Sequence, residues 1–300
     1  MNVSLNARGA HRCHALMNRT QTVHQGIVNV TPDSFSDGGL FYDPMHALVQ
    51  AQKLVAEGAQ IIDIGGVSTR PGATEVGPDV ELQRVLPVLR ILRERLPEDV
   101  LLSLDTSAPE VACAAAQENL IDIINDVFAA RKTMSSEQTK IGNPDIAPTT
   151  AHVAARFALG LVVMHMQGNP STMQHNPAYA NCLDDVTSFL QERMQFANAC
   201  GVQWIAVDPG IGFGKTLEHN LQLMSAAGLQ KLSLLGAPVL VGLSRKSFLK
   251  MLAKNENSLP EFSSDDEEMR WRDQQSALWE TKCIAWGARI IRTHVIKPVS

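Results

Sequence analysis

Eight times along this 300-residue chain a short run rich in Val, Ile and Leu gives way to a polar or glycine-rich loop. The runs are GIVNV (26–30), IIDIGG (61–66), VLLSLD (100–105), IDIIND (121–126), LVVMHM (161–166), WIAVDPG (204–210), PVLVGLSRK (238–246) and ARIIRTH (288–294). Each is largely continuous in apolar residues rather than alternating, which is how strands buried on both faces of a parallel sheet read. Between most of them lie amphipathic stretches at helical spacing: 43–58, ending on Gly58, then 80–96, 107–120, 184–201 and 217–233. Ser107 is the expected N-cap of the third, with Pro109 in its first turn.

Eight strand–helix alternations spaced by about 35 residues predict a (β/α)8 TIM barrel, an α/β fold that typically takes about 250 residues. A doubly wound open sheet is the rival, and the lack of a dinucleotide fingerprint places it second. PGIGFGKT (209–216) imitates a phosphate-binding loop, but Pro209 stands where the first glycine belongs. After the eighth run only VIKPVS (295–300) follows, so the expected barrel lacks its last outer helix. Its exposed strand surface then needs a partner or the N-terminal segment as cover.

The chain divides into an N-terminal extension, 1–24, and a barrel domain, 25–300. The extension carries Arg8, Arg12 and Arg19, no acidic residue and no apolar secretion core. It reads as a ragged tail, with an organelle transit peptide as the alternative. A net charge of −5 argues against a nucleic-acid partner, which rewards dense basic patches. No apolar run approaches the ~18 residues of a membrane span. Five scattered cysteines without a CxxC pair read as free thiols in a reducing, cytoplasmic setting.

Barrel enzymes place their chemistry at the C-terminal ends of the strands. Here those ends carry Asn29, Asp63, Asp105, Asn125 with Asp126, His165, Asp208, Arg245 with Lys246, and Arg292 with His294. One polar strand end means little; eight together imply a shared polar pocket. Asp105 and Asp208 are acceptors suited to a ligand with adjacent N–H donors. Lys246, Arg292 and His294 suit an anion such as phosphate. A nitrogen heterocycle bearing phosphate satisfies both halves. Plainer readings apply elsewhere. Asp63 and Asp126 read as caps or loop partners, and His165 equally as a hydrogen-bonded core histidine or a ligand contact. The Met and Trp residues of 271–286 read as helix packing, and SSDDEEMR (263–270) as a solvated loop.

NVTPDSFSDGG, GGVSTRPGA (65–73), IDIIND, MHMQGNPSTMQ (164–174), DPGIGFGK (208–215), SRKSF (244–248) and IIRTH (290–294) together resemble the dihydropteroate synthase family, in the family's order over about residues 26–295. The resemblance implies a pterin-binding (β/α)8 barrel that condenses (7,8-dihydropterin-6-yl)methyl diphosphate with 4-aminobenzoate, giving 7,8-dihydropteroate and pyrophosphate for folate biosynthesis. It implies Asp105 and Lys246 as catalytic residues, with Asp105, Asn125, Asp208 and Lys246 on the pterin. Thr69, Arg292 and His294 fall to the diphosphate; Phe35, Arg70, Pro71, Phe213 and Ser247 fall to 4-aminobenzoate, where sulfonamides also bind in the family. Asn29 and Asp37 are the implied Mg2+ contacts, and a homodimer is the implied assembly.

Loops 31–43 and 67–79 are expected to close and exclude water. Val67, where the family usually has Glu, and Val295, where it usually has Asp, depart from the pattern, as does the bulky helix QQSALWETKCIAWG (274–287). Two other functions compete: a folate-dependent methyl transferase of the related pterin-binding barrel class, and a non-catalytic pterin-binding module. The first has no need for SRKSF, STRPGA or IIRTH.

Overall fold

All eight apolar runs become strands of one parallel sheet: β1 Val23–Asn29, β2 Ile61–Gly65, β3 Leu101–Asp105, β4 Ile123–Asp126, β5 Gly160–Met164, β6 Trp204–Asp208, β7 Leu240–Val241 and β8 Ile290–Thr293. The computed structural model describes residues 8–31, 43–68, 76–134 and 147–296. Strands pair in the order β6-β5-β4-β3-β2-β1-β8-β7. A parallel bridge between Val207 and Val239, with the Val207 N–H donating to the Pro238 carbonyl at 3.0 Å, joins β6 to β7 and closes the barrel.

Most outer helices fall in the expected intervals: α2 Pro44–Ala56, α3 Pro78–Arg95, α4 Pro109–Gln117, α6 Cys182–Ala199, α7 Leu217–Leu223, α8 Ala226–Ser233 and α10 Asp265–Ala285; α5 Thr150–Arg156 and α9 Ser247–Asn255 are helices outside them. Three local expectations need correction. Ser107 does not cap α4; the N-cap is Ala108, whose N–H is taken by the Thr106 hydroxyl at 3.1 Å. The stretch 217–233 is two helices, because Ser225 caps the Gly228 N–H and restarts the chain as α8. The acidic run is not a loop throughout. Ser264 caps α10, and Asp265, Asp266, Glu267 and Glu268 fill its first turn, where the helix dipole favours negative charge.

The N-terminal extension is not ragged where it is described. Arg8–Arg19 forms helix α1, and its Ala10 and Cys13 are buried with Val23, Ile61, Leu101, Ile123, Val162, Trp204, Leu240 and Ile290. These are the inward residues of the strands' N-terminal halves, so α1 plugs the lower mouth of the barrel. Arg12 anchors the plug: its guanidinium pairs with Asp122 at 2.6 Å and donates to the Val100 carbonyl at 3.0 Å. Arg93 holds the other oxygen of Asp122 at 2.8 Å. Arg289, at the foot of β8, reaches the carbonyls of Met17, Thr20 and Gln21. With the lower end filled by apolar side chains, only the upper end is free for polar chemistry.

The second apolar layer lies between strands and helices, built on residues such as Ile62, Ile64, Val85, Leu89, Leu92, Leu102, Leu104, Ile124 and Leu161. Trp279 and Trp286 pack against its edge, as helix packing requires. Among the described residues no helix is long and apolar enough to cross a membrane.

Candidate active site

Strand register assembles the site. Asn29, Gly65, Asp105 and Asn125 are successive cross-strand partners on β1, β2, β3 and β4, forming one row at the upper rim. Side chains two residues apart on a strand share a face. The layer beneath therefore holds Asp63 and Ser103, themselves register partners. A Cβ built on Gly65 would lie 3.6 Å from both Asn29 Oδ1 and Asp105 Oδ2, so these two oxygens flank the same open patch of backbone.

Arg292 of β8 ties the two layers together. Its Nε donates to Asp63 Oδ2 and its Nη2 to Asp105 Oδ2, each at 2.7 Å. Asp63 accepts further from the Ser103 hydroxyl at 2.5 Å and the Asn125 amide at 3.1 Å. The expectation that Asp63 caps a loop is thus wrong. It is a fully buried hub holding Asn125 and Arg292 from below, a position that its spacing two residues before Gly65 already encodes. Asp126 does what was expected: it accepts from the N–H groups of Phe128 and Ala130 and from the Thr150 hydroxyl at 2.6–2.8 Å, on the face of β4 opposite Asn125.

Asp208 ends β6 and accepts the Gly210 N–H at 2.7 Å. Gly210 has φ +68, and a Cβ there would lie 1.9 Å from the His165 carbonyl oxygen, so only glycine lets the loop fold back over β5. Lys246 donates to the Ile211 carbonyl, and its ammonium stands 4.6 Å from the centre of the Phe213 ring. Phe213 packs in turn with Val127, Met164, Met166 and Met173, an apolar wall beside the polar row. Ser247 begins α9 and is exposed, directly after Lys246. His294 sits on Ser244 of the same loop, 3.1 Å from ring Nδ1 to the hydroxyl.

Burial and pairing set the charges. Burial pushes the Asp105 carboxyl up to about 7; Arg292 opposes the rise, and Asp63, Glu81 and Asp126 add to it. Asp208 is likewise raised by burial, against the pull of Lys246 and the Gly210 N–H. Burial lowers Lys246 to about 8, with Asp208 opposing. Asp105, Asp208, Lys246 and Arg292 thus feel one another within one mouth.

Among the described candidates, Asn29, Asp105, Asn125, Asp208, Phe213, Lys246 and Arg292 line this mouth, with Ser247 and His294 on its β7 rim. Phe35, Asp37, Thr69, Arg70 and Pro71 lie outside the described residues. Arg245 departs from the expected convergence of strand-end charges, because it turns outward and pairs with Asp273 of α10 at 2.7 Å. His165 is a core histidine: its Nδ1 lies 2.9 Å from Lys215 Nζ, and burial with the nearby cations Lys215 and Arg131 lowers it to about 3, so the ring is neutral.

Sequence reading passed over Lys215 and Glu81. Lys215 donates to His165, and to the Phe213 carbonyl at 2.9 Å, bracing the loop that carries Phe213 from inside. That buried posture also disposes of the phosphate-loop imitation. Glu81 of α3 lies under the β2 exit, buried, with Oε1 unpartnered among the described residues and its pKa raised by burial to about 7. Both are polar residues within helical or loop stretches, and no periodicity distinguishes them.

Among the described residues no group of three His, Cys, Asp or Glu side chains gathers as a metal site. The donors beside Gly65 are hard oxygens, an amide and a carboxylate, which suit Mg2+ held partly by substrate phosphates rather than by a protein cage.

Comparison with known proteins agrees with this geometry. A family model described as pterin binding enzyme matches residues 25–294. A dihydropteroate synthase of Haemophilus influenzae is 39% identical over 277 residues, 92% of this chain and 89% of that one. That of Escherichia coli is 41% identical over 229 residues, covering 76% and 74%. Among solved structures, the Yersinia pestis dihydropteroate synthase with a sulfonamide drug complex superposes with a TM-score of 0.77 at 38% identity, covering 92% of this chain and 90% of that one. The Xanthomonas albilineans enzyme with 4-aminobenzoic acid gives 0.75 at 36%, covering 92% and 88%. With its residues, register and relatives in agreement, the chain belongs to the pterin-binding enzyme family, among the dihydropteroate synthases.

Proposed function

We propose that the groups gathered at the upper mouth divide a single condensation among them. For a dihydropteroate synthase that reaction joins (7,8-dihydropterin-6-yl)methyl diphosphate to 4-aminobenzoate, releasing pyrophosphate and giving 7,8-dihydropteroate in folate biosynthesis. Asp105 and Asp208 accept from the pterin's ring and amino N–H groups, and Asn125 adds an amide that both donates and accepts. The wall of Val127, Met164, Met166 and Phe213 provides apolar surface for the flat ring. Lys246, held over Phe213, stands where pterin and arylamine meet.

Arg292, His294 and Thr69 take the diphosphate. As the methylene–oxygen bond breaks, the electron pair leaves with pyrophosphate, and these donors offset its charge. The arylamine nitrogen forms the new bond to the methylene carbon and then loses a proton. Orientation supplies most of the rate, because no covalent enzyme intermediate is needed. Phe213 and Ser247, with Phe35, Arg70 and Pro71, shape the arylamine pocket, which makes sulfonamides competing ligands. Asn29 and Asp37 would hold Mg2+, which when bound further offsets charge on the leaving diphosphate.

Arg292 links the two halves. Its Nη2 occupies Asp105, and pterin N–H donors arriving at that carboxylate free a guanidinium arm for the diphosphate. The observation that carries the proposal is this shared mouth, in which acceptors matched to a heterocycle touch cations matched to its anionic tail. The test is pyrophosphate release on mixing protein, Mg2+, the pterin diphosphate and 4-aminobenzoate. Pterin binding without release overturns it in favour of a non-catalytic module. Assembly as a homodimer in the cytoplasm completes the proposal; light scattering of the purified protein reads the first and fractionation the second.

A further inference from the structure

Arg245 is a non-glycine residue in the left-handed region, with φ +60, immediately before Lys246. Side chains disfavour that conformation, so something must impose it. Helix α10 does so by occupying the polar groups of Arg245. The Arg245 N–H donates to Ser276 Oγ at 3.0 Å, and its carbonyl accepts from Arg272 Nη1 at 3.1 Å. Its guanidinium forms a two-pronged pair with Asp273, Nε to Oδ1 at 2.7 Å and Nη2 to Oδ2 at 3.0 Å. Two of these helix residues are themselves fixed. Ser276 is buried and donates to the Arg272 carbonyl at 2.7 Å, and Arg272 is held by Glu268, which also takes Lys250 of α9 at 2.7 Å.

We propose that Arg272, Asp273 and Ser276 are positioning residues for the condensation: by clamping Arg245 in its left-handed turn, they turn the chain so that Lys246 enters the mouth while Arg245 leaves it. Lys246 follows that turn with extended backbone, φ −73 and ψ 147, so the conformation held at Arg245 sets the direction in which Lys246 leaves the chain. The far end of Lys246 shows the same precision. It donates to the Ile211 carbonyl and lies over Phe213, and its stem passes 3.2 Å from where a Cβ on Gly212 would stand. A displaced ammonium weakens both contacts, and misplacement by one ångström is costly in a reaction governed by orientation.

The inference rests on the role given above to Lys246, and its test separates the two. Asp273→Asn and Ser276→Ala are expected to lower kcat about tenfold while leaving the KM for the pterin diphosphate within about twofold. Arg245→Gly adopts the left-handed turn without a clamp. Adding Asp273→Asn to that background should therefore change kcat less than about twofold, a non-additivity that simple loss of stability does not produce. Independently of turnover, acetylation of Lys246 followed by mass spectrometry across pH should show its labelling shifted to higher pH in Asp273→Asn than in the parent protein, because an amine released from burial regains a higher pKa. If Asp273→Asn lowers only the melting temperature, with kcat and Lys246 labelling unchanged, the clamp is structural and the proposal fails. It also fails if the two substitutions add fully. An inactive parent protein with altered Lys246 labelling in the variant would instead reject the assigned reaction and keep the clamp. Should Asp273→Asn not fold, Ser276→Ala carries the same comparisons.

Discussion

Arg292 Nη2 lies 2.7 Å from Asp105 Oδ2, so the cation proposed for the diphosphate is paired with the carboxylate proposed for the pterin. The same guanidinium keeps a second carboxylate, Asp63, at 2.7 Å through Nε. Asp105→Asn preserves shape but leaves an amide that offers the pterin one acceptor instead of a carboxylate. It is expected to lower kcat/KM for pterin diphosphate by about 10²–10³, the scale of losing one preorganised charge contact in an active site. Steady-state pyrophosphate release reads this directly. Because Asp63 still holds Arg292, the folded state should persist, and a near-native near-UV circular dichroism spectrum should accompany the loss.

Activity should pass through a narrow pH optimum. Burial raises Asp105 to about 7 and lowers Lys246 to about 8. The proposed mechanism needs the first ionised and the second protonated. Below about pH 7 the carboxylate gains a proton, and above about pH 8 the ammonium loses one, so kcat/KM falls on both sides. The two groups act on each other, so the limbs report the pair. A pH–rate profile checks this, and Lys246→Ala should lose the alkaline limb along with most of the rate.

Glu81 gives a stability prediction of definite sign. Its pKa rises from 4.5 to about 7 on folding, because burial penalises the charged form; the Thr106 hydrogen bond, Lys132 and Arg84 oppose the rise, and Asp126 supports it. Between those values the folded protein keeps a proton that the unfolded chain has released. Its contribution to stability therefore falls as pH rises from about 4.5 to about 7 and stays low above. Glu81→Gln removes that penalty. The variant should be more stable than the parent by about 1–3 kcal/mol at pH 8 and nearly equal to it at pH 4.5. Urea unfolding at the two pH values decides.

Helix α1 should matter to stability and not to turnover. Arg12→Ala removes one of the two cations on buried Asp122, which Arg93 alone then neutralises. A loss of about 1–3 kcal/mol is expected, less than for a fully stranded buried charge because Arg93 remains. The kcat of the folded variant should match that of the parent, since the plug lies at the opposite end of the barrel from the mouth. Denaturant midpoints and initial rates separate the two effects.

The barrel was legible because strands buried on both faces leave continuous apolar runs, and their eightfold recurrence admits few architectures. Asp105, Asn125, Asp208 and Lys246 were legible as polar ends of such runs. Direction was harder to read. Arg245 and Lys246 are adjacent and equally cationic, and only the left-handed turn clamped by α10 sends one out and the other in. Asp63 reads as a loop partner because a carboxylate inside a strand looks misplaced until Arg292, 229 positions away, is seen across the barrel. Lys215 and Glu81 escaped notice because nothing in local sequence marks a charge that folding will bury. α1 escaped as a plug because its burial depends on inward residues contributed by distant strands.

The measurement that bears most directly on the whole account is pyrophosphate release followed with and without 4-aminobenzoate, in the parent protein and in Lys246→Ala. The account predicts release that depends on the arylamine, matches dihydropteroate formed one for one, and falls about 10²-fold or more in the variant. Release at the same rate without the arylamine, or undiminished turnover in the variant, would contradict it.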